Sequence, residues 1–382
     1  MATPEIPLSL YLHFPWCVRK CPYCDFNSHG LRGEVPEDAY VDALLRDLDF
    51  ELRQAPEPRP LRSIFMGGGT PSLFSGAGIT RVLDGVRQRL QFVADIEITM
   101  EANPGTVDEG HFASYRAAGV NRLSIGVQSL DAERLKQLGR IHDPDQARRA
   151  VVVARAAGFD NINLDMMYAL PGQTVAAADD DLQELISLQP DHISYYQLTL
   201  EPNTEFAARP PTLPDDDSAW EMQEQGQRRL AANDYCQYEV SAYARPGRQC
   251  RHNRNYWEFG DYLGVGAGAH AKRTTAGSIR RRARQKHPRR YMESAGTAQM
   301  LMEDRHIPRE ELPFEYMMNA LRLNQGFGLV DYERRTGLER QSVALTLAAA
   351  RDKGLLASDG ARWQTTELGQ RHLNELLTLF LN

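Results

Sequence analysis

The sequence has no run of about 18 apolar residues, which removes a membrane-spanning helix from consideration. It has no internal repeat and no low-complexity tract, so solenoid and disordered-tail architectures fall away. Cysteine is scarce: five residues in 382, an odd number, with three crowded between positions 17 and 24. A secreted disulfide framework needs an even and more evenly spread set, so that class is excluded as well. Basic charge is not in excess either. The formal net charge is -7, whereas phosphate backbones attract the opposite sign, so nucleic acid is not expected as the main partner. Met1–Pro7 is too short and too polar for a signal peptide. A cytoplasmic protein is expected, with Cys236 and Cys250 as ordinary reduced thiols.

What the chain does have is material for a large core, with 42% hydrophobic residues and a length that suits one barrel-sized domain plus a smaller one. Short apolar or alternating runs recur at Leu8–Phe14, Leu61–Met66, Ile96–Glu101, Arg122–Gln128, Asn161–Met167 and His192–Leu200. Amphipathic segments separate them, such as Tyr40–Leu48, where Tyr40, Val41, Leu44, Leu45 and Leu48 share one helical face. Thr106 with Glu109 has the pattern of a capping box, and Asp143 before Pro144 that of an N-cap and first turn. Six strands alternating with helices predict parallel pairing with right-handed crossovers. The expected fold is therefore α/β, an incomplete parallel (β/α)6 TIM-like barrel. After about residue 205 the pattern changes. A helix is expected over Ser218–Ala232, a basic loop over Arg280–Arg290, and a small helical, winged-helix-like domain at the C-terminus that includes Leu338–Lys353.

The densest chemistry is Cys17-x3-Cys21-x2-Cys24, placed just after the first strand, where barrel proteins build their sites. Three thiolates can hold three irons of a 4Fe–4S cluster and leave the fourth iron open for chemistry. A structural zinc site completed by His13 or His29 is the other reading, although zinc ligands usually come as two separated pairs. The spacing resembles that of radical S-adenosylmethionine (SAM) proteins, in which SAM chelates the open iron. Tyr23 could then pack on adenine or simply shield the cluster. Gly67-Gly68-Gly69-Thr70-Pro71 ends the second strand, either as a plain turn or as backbone that receives the methionine end of SAM. Glu101, Gln128, Arg140 and Asp165 fall at or beyond later strand ends, either as ligands of ribose, ammonium and carboxylate groups or as an internal network such as Glu101 with Arg140.

Together the cysteine triplet, GGGTPS, EANPGT, GVQS, LGRIHD and NLDMMYALPGQT resemble the radical SAM family of oxygen-independent coproporphyrinogen oxidases and their haem-chaperone relatives, from about Tyr11 to the C-terminal domain. The resemblance implies a radical SAM core over 1–235, a barrel extension and linker over 236–305, and a C-terminal domain over 306–382. It implies Cys17, Cys21 and Cys24 on the cluster, and Tyr11, Tyr23, Gly68, Gly69, Thr70, Glu101, Gln128, Arg140 and Asp165 on SAM, with Thr199 and His270 near it.

Two features turn the resemblance from the oxidase toward the haem chaperones. The oxidase pattern continues to a fourth cysteine two positions after the third, where this chain has Phe26. The oxidase also carries a long extension before its cluster, whereas Cys17 comes almost at once. The stretch Cys250–Trp257 contains HNxxYW, a pattern of the chaperones, in which His252 could ligate haem iron while Tyr256 and Trp257 offer flat apolar surface. A hydrogen-bonded structural histidine is the alternative for His252. The basic stretch reads as a solvated loop, or as a contact for haem propionates, anionic lipid or an acidic protein. The expected function is a haem chaperone carrying a 4Fe–4S cluster with SAM, served by an electron donor and delivering haem to acceptor proteins. An oxidase acting on a tetrapyrrole is the enzymatic alternative, and a cluster-bearing redox or regulatory protein is the third.

Overall fold

The computed structural model describes residues 6–275 and 277–381; Met1–Glu5, part of the segment tested for a signal peptide, lie outside the described residues, as do Ala276 and Asn382. Strands β1 (Leu8–Phe14), β2 (Leu61–Gly68), β3 (Phe92–Ala102), β4 (Arg122–Gln128), β5 (Ile162–Tyr168) and β6 (His192–Gln197) stand side by side in chain order, all parallel. Helices α1 (Glu37–Gln54), α2 (Gly76–Arg87), α3 (Glu109–Ala118), α4 (Pro144–Ala156) and α5 (Val175–Ser187) connect them, and α6 (Asp216–Ala232) follows β6.

The two faces of this sheet differ in chemistry. Side chains alternate along a strand, and the register pairs Ser9, Tyr11 and His13 of β1 with Ser63, Phe65 and Gly67 of β2. The same face continues through Glu97, Thr99 and Glu101, then Arg122 and Ser124, then Asn163 and Asp165, then His192 and Ser194. The opposite face presents Leu8, Leu10, Leu12, Ile64, Met66, Ile98, Met100, Leu123, Ile125 and Leu164, which form one continuous core with the helices. One face therefore holds the fold; the other is largely polar, with Ser63, Glu97 and His192 bonded within the protein and the strand-end residues reaching the cavities. Truncating a fully buried member such as Leu10 to Ala would cost about 2–5 kcal/mol.

Local signals explain the helix ends. Asp143 caps α4 in a complete capping box with Gln146. The cap of α3 is Asp108, which accepts from His111 N, and not the expected Thr106, whose residue closes a short 3-10 turn over Pro104–Thr106.

Residues 236–305, expected as extension and linker, supply sheet. Beyond β6 lie β8 (Ala242–Ala244) and β7 (Cys236–Glu239), both antiparallel additions. On the other side β9 (Asp261–Val265) runs parallel to β1, and β10 (His270–Thr275), β11 (Ser278–Arg284) and β12 (Leu301–His306) follow antiparallel, giving a twelve-stranded sheet. The first half of the arginine-rich stretch, 280–284, is thus strand rather than the expected loop, because its charges are consumed inside the protein, and its end, 288–290, opens a short helix over Pro288–Ser294. Arg284 pairs with Asp47 (3.0 Å) and Glu51 of α1, and Arg282 with Glu51 (2.8 Å). Arg280 pairs with Asp304, and Arg281, on the other face of the strand, with Glu315. Lys286, Arg289 and Arg290 stay exposed.

The short helix α7 (Arg251–Trp257) bears HNxxYW. At the C-terminal end, α8 (Leu312–Ala320), α9 (Leu329–Thr336) and α10 (Gln341–Asp352) precede a small antiparallel hairpin, Leu356–Ser358 with Trp363–Thr365. These elements bury a second core around Tyr316, Met317, Leu347 and Phe380, to which Phe259 and Ile279 also contribute. No helix among the described residues is long and apolar enough to cross a membrane.

Candidate cluster site and the cavity beside it

The loop after β1 brings Cys17, Cys21 and Cys24 to the wall of one cavity, with none of the three in a disulfide. The loop is held from three sides. Gly69 N and Thr70 N donate to Phe14 O and Trp16 O, both at 2.7 Å. A side chain on Gly69 would sit 2.5 Å from Trp16 O, and Gly68, at φ +111°, faces the His13 ring. The glycine run is thus required by strand β1 and its loop. Arg140 donates to Gly126 O at 2.7 Å and reaches the Cys21 sulfur at 3.6 Å. Tyr23 packs toward Phe206 in a small apolar cluster that shields this side.

Around the cavity the polar face converges: Gly68, Gly69 and Thr70 from the end of β2, Glu101 from β3, Ser124, Gly126 and Gln128 from β4, and Asp165 from β5. Glu101 accepts from Gly68 N at 3.0 Å, and burial pushes its carboxyl up to about 7. Asp165 is raised too, by burial, although Asn163 donates to it at 2.8 Å. Arg140 makes no ion pair with Glu101, and its buried Nε has no partner among the described residues. Two buried carboxylates, Glu101 with a single donor, beside a guanidinium with an unpartnered buried Nε suit a zwitterionic ligand with hydroxyls, as SAM is.

The thiols suit a cluster better than zinc. Burial raises Cys17 and Cys24, with Cys21 and Cys24 adding to it at Cys17 and Cys21 at Cys24, a cost that a bound metal centre would relieve. Neither histidine considered for zinc lines the cavity. His13 uses Nδ1 on Tyr11 (3.0 Å) and Nε2 on Asn27 O (2.9 Å), and His29 Nε2 lies 3.2 Å from Lys286 O.

One residue on the wall escaped the sequence reading. Tyr196, at the end of β6, donates to Gln128 Oε1 at 2.8 Å. Its position on the polar face at a strand end is the signal that picked out Gln128, and applied to β6 it would have found this tyrosine. Thr199 is exposed and bonded to Glu201 at 2.7 Å, away from the lining.

Tyr11 and His270 line a second cavity of about 490 Å³. Gly68, Glu101 and the exposed Phe26 belong to both walls, so the two cavities adjoin. The second is aromatic, with Tyr256, Trp257, Phe259 and Tyr262 on one side, and Met318 and Asn319 of α8 contributing from the C-terminal module. HNxxYW thus divides between two tasks. Tyr256 and Trp257 face this cavity, whereas His252 lies buried beneath it, with Nδ1 3.1 Å from Ser63 Oγ and Nε2 2.9 Å from Tyr256 Oη. Its backbone N–H and that of Arg251 donate to Glu97 at 3.1 Å. Burial pushes the imidazole down to about 3. With both ring nitrogens engaged, His252 has the arrangement of a structural histidine and no nitrogen free for iron.

Comparison with known proteins agrees with this architecture. The radical SAM superfamily model matches residues 11–185 and the HemN C-terminal domain matches 307–372. The fold is similar to coproporphyrinogen III oxidase (HemN) from Escherichia coli, a radical SAM enzyme, with TM-score 0.83 and 25% identity over 99% of this chain and 91% of that one. Heme chaperone HemW of Escherichia coli (strain K12) is 52% identical over 98% of both chains. The Haemophilus influenzae protein of that name is 48% identical, again over 98% of both, and that of Mycobacterium tuberculosis 35% over 96% of this chain and 93% of its own. The chain belongs to the heme chaperone HemW family of radical SAM proteins.

Proposed function

We propose that this chain is a haem chaperone, which binds haem and passes it to haem-dependent acceptor proteins, respiratory ones foremost. Cys17, Cys21 and Cys24 would hold a 4Fe–4S cluster, and Gly68, Gly69, Thr70, Glu101, Gln128, Arg140 and Asp165 would hold SAM beside it. Such a cluster, with one open iron, supplies one-electron chemistry fed by a donor protein. The residues of the chain bind and orient: Arg140 faces a carboxylate, Glu101 and Asp165 face ammonium and hydroxyl groups, and Tyr23 covers the loop.

The observation that carries the chaperone reading is the second cavity. It is aromatic and large enough for a planar macrocycle, and it shares Gly68, Glu101 and Phe26 with the cysteine site. Phe26 stands where the oxidase pattern places a further cysteine, which supports cargo handling over decarboxylation.

The test uses anaerobically reconstituted full-length protein. Stoichiometric haem binding, with transfer to an apo acceptor and no vinyl product from coproporphyrinogen, SAM and reductant, supports the proposal. Conversion of coproporphyrinogen to protoporphyrinogen overturns it in favour of the oxidase.

A further inference from the structure

We propose that His270, and not the histidine of HNxxYW, is the protein ligand to haem iron, seated in the aromatic cavity; this rests on the haem-binding reading above. Three histidines stand in or against that cavity. His13 spends both ring nitrogens on Tyr11 and Asn27 O, and His252 spends both on Ser63 and Tyr256. His270 makes no hydrogen bond through either ring nitrogen among the described residues, yet it lines the cavity and is exposed to it. An imidazole coordinates iron only through an unprotonated nitrogen that nothing else occupies. Of the three, only His270 offers one.

Its position follows from the strand. His270 opens β10 opposite Ala283 of β11, and the next pair on that face is Lys272 with Arg281, beside Tyr262 of β9. A small residue opposite leaves the imidazole room to turn into the cavity. Partial burial lowers His270 below the usual histidine range, which keeps its lone pair available at neutral pH.

The surroundings suit a porphyrin with carboxylate tails. Tyr256 and Tyr262 meet edge to face at 4.5 Å and present ring surface to the cavity. Trp257 Nε1 and Arg281 Nε are buried donors with no partner among the described residues, and Lys286 stands exposed at the rim, so propionates find donors. HNxxYW then serves haem indirectly: His252 anchors Tyr256, and Tyr256 forms wall.

Ferric haem is titrated into anaerobically reconstituted full-length protein, followed by electron paramagnetic resonance of the haem and by equilibrium ultrafiltration. The wild type is expected to show a histidine-ligated haem signal. His270→Ala should lose that signal and weaken binding about tenfold or more, while the cluster signal and SAM binding persist. Millimolar imidazole should restore the signal, which a merely structural role of His270 would not allow. An unchanged signal and affinity in His270→Ala, or a loss that imidazole does not restore, overturns the proposal. Loss in His252→Asn with retention in His270→Ala returns ligation to the motif. Failure of the wild type to bind haem at all overturns the chaperone reading itself, a separate result.

Discussion

The cavity that holds the cysteines takes its lining from consecutive strand ends between Cys17 and Tyr196, whereas the cavity beside it is assembled from β1, α7, β9 to β11 and α8, spanning Tyr11 to Asn319. The first is a property of repeated strand–helix units: successive units deliver polar groups to the same rim. The second exists only because an added block of sheet and the C-terminal module close against β1. A site of the first kind is robust to changes elsewhere, and one of the second kind depends on the supports of its far wall.

The largest expected effect separates the two outright. Cys24→Ala removes one of three thiols, so anaerobic reconstitution should give no stable cluster absorbance, while ferric haem binding to the aromatic cavity should persist. Loss of haem binding together with the cluster would mean the cavities are one site. The reverse separation comes from Asp47→Ala. Asp47 accepts from Arg284, Tyr291 and Gly266 N in a fully buried network behind β11, on the sheet face opposite the cavity. Removing it leaves the buried Arg284 guanidinium with Glu51 alone, which Arg282 also shares, and should cost about 3 kcal/mol, read as a lowered denaturant midpoint. Haem binding should fall with it, and the cluster should still assemble.

The same contrast explains what could be seen in the sequence. Cys17, Glu101, Gln128 and Asp165 were legible because each sits on or just beyond a strand whose alternation marks its end, and Arg140 through the LGRIHD motif beyond the helix that follows β4; the structure brings them to one cavity. Four of the six predicted strands begin at the residue observed, since apolar alternation is a local signal. The basic stretch was not legible as strand: its arginines looked solvated, and their carboxylate partners Asp47 and Glu51 lie more than two hundred residues away. The sequence assigned haem to His252 through its motif and placed His270 near SAM, whereas the structure puts His270 on the aromatic cavity and His252 beneath it. Only the fold shows that Ser63 and Tyr256 occupy the His252 imidazole, while the His270 ring makes no hydrogen bond among the described residues.

A smaller effect tests the cysteine cavity by pH. Burial holds the Glu101 carboxyl at about 7, against an ordinary glutamate near 4.5. In the ligand-free protein the native state keeps this proton while the unfolded chain releases it, so the stability contributed by Glu101 falls as pH rises from about 4.5 through 7. A ligand whose ammonium or hydroxyls pair with the carboxylate must displace the proton first. SAM affinity measured by calorimetry should therefore rise with pH up to about 7, by at most about tenfold per unit, and level off above. Glu101→Gln should remove this part of the slope and weaken binding. An identical pH profile in the variant would take Glu101 out of the SAM site.

The smallest expected effect concerns the residue that the sequence reading passed over. Tyr196 Oη donates to Gln128 Oε1, and Gln128 is held at φ +72°, a left-handed conformation that a glutamine adopts only when its surroundings fix it. The hydrogen bond fixes which end of the amide points at the cavity, so Tyr196 acts by positioning Gln128. Tyr196→Phe keeps the ring and its packing and removes only the hydroxyl, which should cost about 1 kcal/mol, or roughly fivefold, in SAM affinity. Gln128→Ala should lose at least as much, and adding Tyr196→Phe to it should lose little more, because the two residues act as one unit. Additive losses in the double variant would instead mean that Tyr196 reaches the ligand by itself. Haem binding next door should be unchanged in all three variants, which makes this pair the finest available measure of how separate the two cavities are.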